Sequence, residues 1–357
     1  MLPRWAVTRR MALDVRDFFA LSAAERRNFL ENSARALNRP TAILEKDIMV
    51  CWALQVLFAL DGPAMVFKGG TSLSKVYQAI DRFSEDIDIT IDHRDSGDII
   101  VDPFAPEVSN TKRREFSERM KAFTAKTVRD VIRPHFEQQV ALVPIPPISR
   151  METNENGDQL LLEFESVHQN LKYVRPRIIL EFGARNAIEP SVIVQVQPDV
   201  LAWAPAQDLN FPNANVEVLM AERTYWEKVT LIHAENTRKN AKANTDRYSR
   251  HWYDLAMLAQ HEIGDRALQR TDLLEQVIHV KSLLFAVSGV NYQEVAKGAC
   301  KLVPSDALHD GLERDYNEMI NAGMFDGMPP IWKDLMGTLG GLEQRINALG
   351  QTNSGAR

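Results

Sequence analysis

The sequence predicts an α/β or α+β protein, with a sheet core followed by a mainly helical region. Three observations carry this expectation. Short alternating apolar segments and glycine turns dominate up to about residue 200. Helical periodicity dominates the remainder of the chain. Within the first part, an apolar helix and a strand lead into Gly69-Gly70, a helix leaves that turn, and a strand with two aspartates comes next. The expected domains are residues 1–205 for the sheet with its N-terminal helices, 206–348 for a helical domain that adds to the cleft, and 349–357 for a disordered tail.

Each element has its own signal. Residues 15–37 are charged and helical in pattern, with Ser22 placed to cap and Glu25 three residues on. Residues 42–60 form an apolar helix beginning at Thr41 and stopped by Asp61-Gly62-Pro63. Ala64–Phe67 is a short strand, Lys68–Ser72 a tight glycine turn, and Leu73–Ile80 a short helix. Asp86–Ile91 alternates cleanly and is a strand. Residues 93–110 are polar and loop-like, and 111–140 read as one long charged helix broken by Pro144-Ile145-Pro146-Pro147. Residues 159–167 and 174–184 pattern as an antiparallel pair, 191–199 as a further strand, and everything from about 216 as helix.

Composition narrows the class. The 357 residues are 45% hydrophobic and 25% charged, which excludes a disordered chain, a collagen-like fibre and a coiled-coil rod. The formal charge of −6 argues against a globally basic nucleic-acid coat, while a local basic patch stays open. Cys51 and Cys300 lie too far apart in sequence to suggest a zinc site or a disulfide framework, so a reducing cytoplasm is the simplest compartment. The N-terminus lacks the apolar core of a signal peptide. The apolar stretch from Ile48 to Phe67 is interrupted by Gln55, Asp61, Gly62 and Pro63, so it reads as helix, turn and strand rather than a membrane span. No Walker A loop, dinucleotide fingerprint or zincin pair is present; His261-Glu262 lacks a second histidine.

The chemistry concentrates in one segment. Gly69 and Gly70 permit close approach of a ligand, and the helix start after them offers free N–H groups to an anion. On the next strand, period-two alternation puts Asp86 and Asp88 on one face and Ile87 and Ile89 on the other. Carboxylates about 7 Å apart along one face can grip divalent cations. A phosphate cradle beside such a pair is the apparatus of metal-assisted phosphoryl or nucleotidyl transfer. Asp81 and Glu85 read as solvated neighbours.

Gly69-Gly70-Thr71-Ser72-Leu73-Ser74-Lys75, followed by Arg82-Phe83-Ser84-Glu85-Asp86-Ile87-Asp88-Ile89, resembles the nucleotidyltransferase signature. More closely, it resembles the AbiEii/AbiGii family, the nucleotidyltransferase-like toxins of abortive-infection and toxin–antitoxin operons. Glu45-Lys46-Asp47, Arg177–Phe182, Tyr225-Trp226-Glu227-Lys228 and Arg250-His251-Trp252-Tyr253-Asp254 are similar to further motifs of that family. The resemblance implies a polymerase-β-like mixed sheet with flanking helices and a nucleoside triphosphate substrate. It implies Mg²⁺ or Mn²⁺ on Asp86 and Asp88, and phosphate beside Gly69, Gly70, Ser72 and Lys75. It places Lys228 against the triphosphate, with Asp254 orienting it, and Glu181 as a third carboxylate acting as base or ligand. It further implies an RNA acceptor such as a tRNA 3′ end, and an antitoxin partner with a winged-helix DNA-binding domain.

Plainer readings stand beside these. Ser72 could serve only to start the helix, and Lys75 could be a surface lysine. Glu181 could pair with Arg177 or Arg185, and Asp254, set among apolar residues, needs a partner such as Arg250 or Lys228. The basic run Arg238–Lys242, with Arg247 and Arg250 beyond it, is either a solvated face or a grip on an RNA backbone. The motifs serve the nucleotide, so they leave a protein side chain open as acceptor, as well as a regulatory module that binds nucleotide without transfer.

Overall fold

The computed structural model of the chain describes residues 16–84, 86–97, 102–142, 147–168, 175–203, 208–239 and 245–354. A two-residue strand, β1 (Arg16–Asp17), and a single 3-10 turn precede α1 (Ala23–Leu37). The charged segment is therefore helical only from Ala23. Ser22 Oγ accepts the Glu25 N–H and the Glu25 carboxylate accepts the Ser22 N–H, closing the expected capping box. Helix α2 (Thr41–Phe58) is apolar nearly all round and buried accordingly.

Strand β2 (Met65–Lys68) passes directly into α3 (Gly69–Lys75). The glycines thus open the helix instead of forming a separate turn, and that helix ends five residues before Ile80. Strand β3 (Asp86–Ile91) has the expected bounds. The long charged helix is α4 (Asn110–Thr127) and α5 (Arg133–Leu142), joined through a π turn at Val128–Ile132. The proline run expected to break it lies outside the described residues, except Pro147.

Five strands come between α5 and the last strand: β4 (Arg150–Thr153), β5 (Gln159–Glu163), β6 (Arg177–Gly183), β7 (Ser191–Val196) and the short β8 (Leu209–Asn210). Strand β9 (Ala214–Leu219) occupies the stretch that reads as helix from about 216, and it carries the sheet past residue 205. The helical region comprises α6 (Ala221–Thr237), α7 (Ser249–Gln260), α8 (Glu262–Gln269), α9 (Thr271–Leu284), α10 (Gln293–Ala296), α11 (Asp306–Asn321) and α12 (Trp332–Ser354). Helix α12 runs on through Leu349, the residue after which the sequence predicts a disordered tail.

The main sheet has seven strands in the order β4-β5-β6-β3-β2-β9-β7. The β3–β6 and β2–β9 pairs are parallel and the others antiparallel, so the sheet is mixed. One core packs α1, α2, α4 and α5 onto the sheet face bearing Ile87, Ile89, Leu180 and Phe182. A second core lies among the later helices around Tyr225, Trp226, Trp252 and Leu335. The two buried indoles donate to Ala267 O at 3.0 Å and Leu302 O at 2.9 Å, so neither polar tip is stranded.

The two halves interlock. Leu73, Ala79 and Ile80, which come after β2, pack into the second core. Residues 81–83 are tied to the loop after α11, with Asp326 N donating to Asp81 O and Phe83 N to Met324 O, both at 2.7 Å. Helix α2 supplies a buried charged triplet that fastens three loops. Glu45 accepts from Ser166 Oγ and Val167 N, Lys46 donates to Arg175 O and lies over the Phe83 ring, and Asp47 binds Lys75 and Asp199 N.

Candidate active site

Strand register builds a polar row on the sheet face away from the first core. Asp88 lies opposite Glu181 across β3–β6, Lys68 opposite Asp88 across β2–β3, and Gln159 opposite Glu181 across β5–β6. Directly opposed residues share a face. Gln159, Glu181, Asp88 and Lys68 therefore run across four strands, with Asp86 two residues before Asp88 on the same face. Gln159 Nε2 donates to Glu181 Oε1 at 2.8 Å. Burial, then the neighbouring Asp88 and Asp86 charges, pushes Glu181 up to about 7. Burial also raises Asp88; Lys68 opposes that rise and Asp86 adds to it. Among the described residues, Glu181 forms no ion pair with Arg177 or Arg185.

The glycines fit this row for steric reasons. Gly69 has φ +79°, and a Cβ there would stand 1.9 Å from Asp88 Oδ2. A Cβ on Gly70 would meet Arg82 Nη2 at 2.5 Å. Thr71 Oγ1 donates to Asp86 O at 2.5 Å, tying the helix start to β3. Ser72 and Lys75 sit differently from the expectation. Ser72 is buried and its hydroxyl donates to Gly69 O at 2.9 Å. Lys75 is held between Asp47 and Asp199, both at 2.6 Å, facing α2 rather than the acid row. Ser72 thus secures the turn, and Lys75 secures the helix against α2.

Lys228 and Asp254 do meet. Lys228 Nζ donates to Asp254 Oδ2 at 2.7 Å, and Arg82 clamps the same carboxylate through Nε at 2.6 Å and Nη2 at 2.8 Å. All three are buried. Burial alone would raise the Asp254 carboxyl, but Arg82 and Lys228 hold it well below the usual range. Burial lowers Lys228 despite Asp254. Arg250 turns to the other carboxylate: its Nη1 donates to Asp86 Oδ2 at 3.4 Å, with Arg247 Nη2 3.9 Å from the same oxygen. His251 is held neutral by burial and by Lys228 and Arg250.

Sequence reasoning singles out neither Arg82, Gln159 nor Lys68 as site residues. Arg82 has a signal, since it opens the Arg82–Asp88 motif, but its partner is 172 residues away. Gln159 and Lys68 become visible only once register is known. Of the basic run, Arg238 pairs with Glu235 at 2.9 Å, and residues 240–244 lie outside the described residues, as does Glu85. Asp81 is exposed, as expected.

Asp86, Asp88 and Glu181 are hard oxygen donors of the kind Mg²⁺ and Mn²⁺ prefer. Burial raises both Asp88 and Glu181, and Glu181 also feels the Asp88 and Asp86 charges; a divalent cation would offset these costs, so the chemistry of the donors suits such an ion. Among the described residues, no three His, Cys, Asp or Glu side chains are gathered as a ready-made metal site.

A mixed sheet that sets carboxylates against a glycine helix start, with a buried lysine and arginines around them, suits nucleotidyl transfer. Comparison with known proteins places the chain in that class. A family model described as "Nucleotidyl transferase AbiEii toxin, Type IV TA system" matches residues 52–338. The chain belongs to this family: it is a nucleotidyltransferase toxin of a type IV toxin–antitoxin system. Among solved structures it is similar to MenT4, a nucleotidyltransferase toxin from Mycobacterium tuberculosis H37Rv. That likeness has 17% identity and a TM-score of 0.43 over 92% of this chain and 99% of that one. No curated protein matches the sequence.

Proposed function

We propose that this toxin transfers a nucleoside monophosphate from a nucleoside triphosphate to a hydroxyl of an RNA acceptor, a tRNA 3′ end, and so blocks translation. The observation that carries the reading is the row of Asp88 beside Glu181, within the electrostatic reach of Lys228 and Arg250. Acids that can hold a metal and a proton stand next to cations that can hold phosphate. Asp86 and Asp88 would hold Mg²⁺ or Mn²⁺, with Glu181 beside them, and the ion when bound supplies charge stabilisation on the phosphoryl oxygens.

The chain's own groups do the rest. Ionised Glu181 accepts the proton of the attacking hydroxyl. The new bond joins that oxygen to the α-phosphorus, the α–β bridging bond breaks, and pyrophosphate leaves. Lys228, oriented by Asp254, offsets the charge that grows on the pyrophosphate, and Arg82 keeps Asp254 in place. Gly69 and Gly70 let the backbone approach the phosphates. The toxin works in the cytoplasm, beside an antitoxin that carries a winged-helix DNA-binding domain. No helix among the described residues is long and apolar enough to cross a membrane.

The test is transfer of α-labelled nucleotide. Each of the four ribonucleoside triphosphates is incubated with Mg²⁺, total RNA, cell protein and either wild type or Asp88→Asn. Label on RNA that vanishes in the variant is the expected result. Label on protein would move the acceptor to a side chain. Saturable nucleotide binding without any label would point to a regulatory module.

A further inference from the structure

A second set of cations adjoins the acid row and has no role in the transfer chemistry. Lys68, the cross-strand neighbour of Asp88, reaches Glu227 on α6 at 3.4 Å. Arg223, one turn earlier on α6, is 3.7 Å from the same carboxylate. Lys281 of α9 feels Glu227, Lys68, Arg185 and Arg223. Arg185 and Lys281 share one ring: the Arg185 guanidinium lies 4.5 Å and the Lys281 ammonium 4.8 Å from the centre of Phe285. Neither forms an ion pair among the described residues. Glu118 and Glu189 act on Arg185 and Arg223 only through space.

This arrangement is electrostatically incomplete. Three cations, Lys68, Lys281 and Arg223, act on the one Glu227 carboxylate, and a fourth, Arg185, shares the Phe285 ring with Lys281 and repels it. Burial lowers both Lys281 and Arg185. Arg223 is 2% exposed and its Nε is buried without a hydrogen-bond partner. Such a cost is relieved by an anion that brings acceptor oxygens. In the proposed reaction the triphosphate is already matched by Lys228 and Arg250, which come from α6 and α7. In-line transfer holds the attacking and leaving oxygens apart, so a transferase with two anionic substrates needs a second hold.

We propose that Lys68, Arg185 and Lys281, backed by Arg223, form a second phosphate site that takes a phosphodiester of the acceptor strand. This rests on the reading of RNA as the acceptor. Phe285 aligns the two outer cations, and Lys68 links the site to Asp88.

The test uses the full chain and a fluorescent single-stranded RNA oligonucleotide, with anisotropy measured over a range of salt. Lys281→Met keeps the packing on Phe285 and removes the charge; Lys281→Arg restores the charge. The expected result is weaker RNA binding by Lys281→Met, with the slope of log affinity against log salt reduced by about 0.7 for each phosphate that the protein no longer neutralises. Lys281→Arg should rescue it, and nucleoside triphosphate affinity should be unchanged in both. Wild-type RNA binding that survives Lys281→Met and Arg185→Met with the same slope overturns this site alone. A loss of triphosphate affinity instead would assign the cluster to the nucleotide and overturn it too. If wild type shows no salt-dependent RNA binding, the RNA-acceptor reading itself fails and takes this site with it.

Discussion

Asp88 occupies the space that a side chain at position 69 would need. Its Oδ2 lies 1.9 Å from where a Cβ on Gly69 would stand, and the backbone there has φ +79°. Gly69→Ala therefore meets both a left-handed backbone, at a cost of about 1–2 kcal/mol, and a collision with the carboxylate. The expected outcome is a lowered Tm and loss of nucleotidyl transfer, read by thermal unfolding and by label incorporation. Full activity in this variant would refute the close fit.

The pH response of Glu181 has two opposite parts. With its carboxyl raised to about 7, the transfer rate should climb as pH rises through that value, because the proposed base must be ionised. Gln159→Leu removes the donor that favours the ionised form, so the rising limb should move to higher pH. Stability runs the other way. The folded protein binds this proton more tightly than the unfolded chain, so the contribution is full below the ordinary glutamate value of 4.5 and is lost as pH rises toward 7. Glu181→Gln should abolish the rate limb and this part of the Tm profile together.

Asp254→Asn leaves Arg82 and Lys228 buried around a neutral amide. Removing one partner of a buried charge network costs about 3–5 kcal/mol, so the urea midpoint should fall clearly. The wild-type carboxyl is held below its ordinary range. Its stabilisation is therefore present above the unfolded carboxylate value and disappears as pH falls through the folded one. Acid unfolding of wild type, compared with the variant, measures that contribution.

Lys75→Met tests the separation of the last turn of α3 from the phosphate chemistry. Lys75 is buried between Asp47 and Asp199, so its loss should cost about 3–5 kcal/mol in a denaturant titration. The KM for nucleoside triphosphate should stay near wild type in the folded fraction. A large KM increase with unchanged stability would return Lys75 to the substrate.

How far the sequence reveals the fold depends on the range of the forces. The Ser22 cap and the Asp86–Ile91 strand are set by neighbours within a few residues; the capping box forms as expected and the strand has the expected bounds. The pairing of Lys228 with Asp254 can be posed as one of two options because an acid among apolar residues demands a partner. The choice between Arg250 and Lys228 depends on packing. The structure gives Asp254 to Lys228 and Arg82, and sends Arg250 to Asp86. The part of the Ala214–Leu219 strand from about residue 216 reads wrongly as helix because a short alternation next to a strong helix suits either period. Lys75 is four residues after Thr71 in the motif, yet sequence proximity to a glycine turn does not fix which side of a helix faces the ligand.

The tie between residues 81–83 and the loop at 324–326, together with the Arg82–Asp254 clamp, bears on when the toxin becomes dangerous. The carboxylate row is complete once β6 is made, but the clamp on Arg82 comes from α7 and the backbone ties come from beyond α11. A chain still emerging from the ribosome at β9 holds the acids without Asp254, Lys228 or that anchoring loop. Synthesis order thus acts as a safety catch: the ribosome making this toxin must pass α11 before the ties that anchor Arg82 and its clamp are all in place.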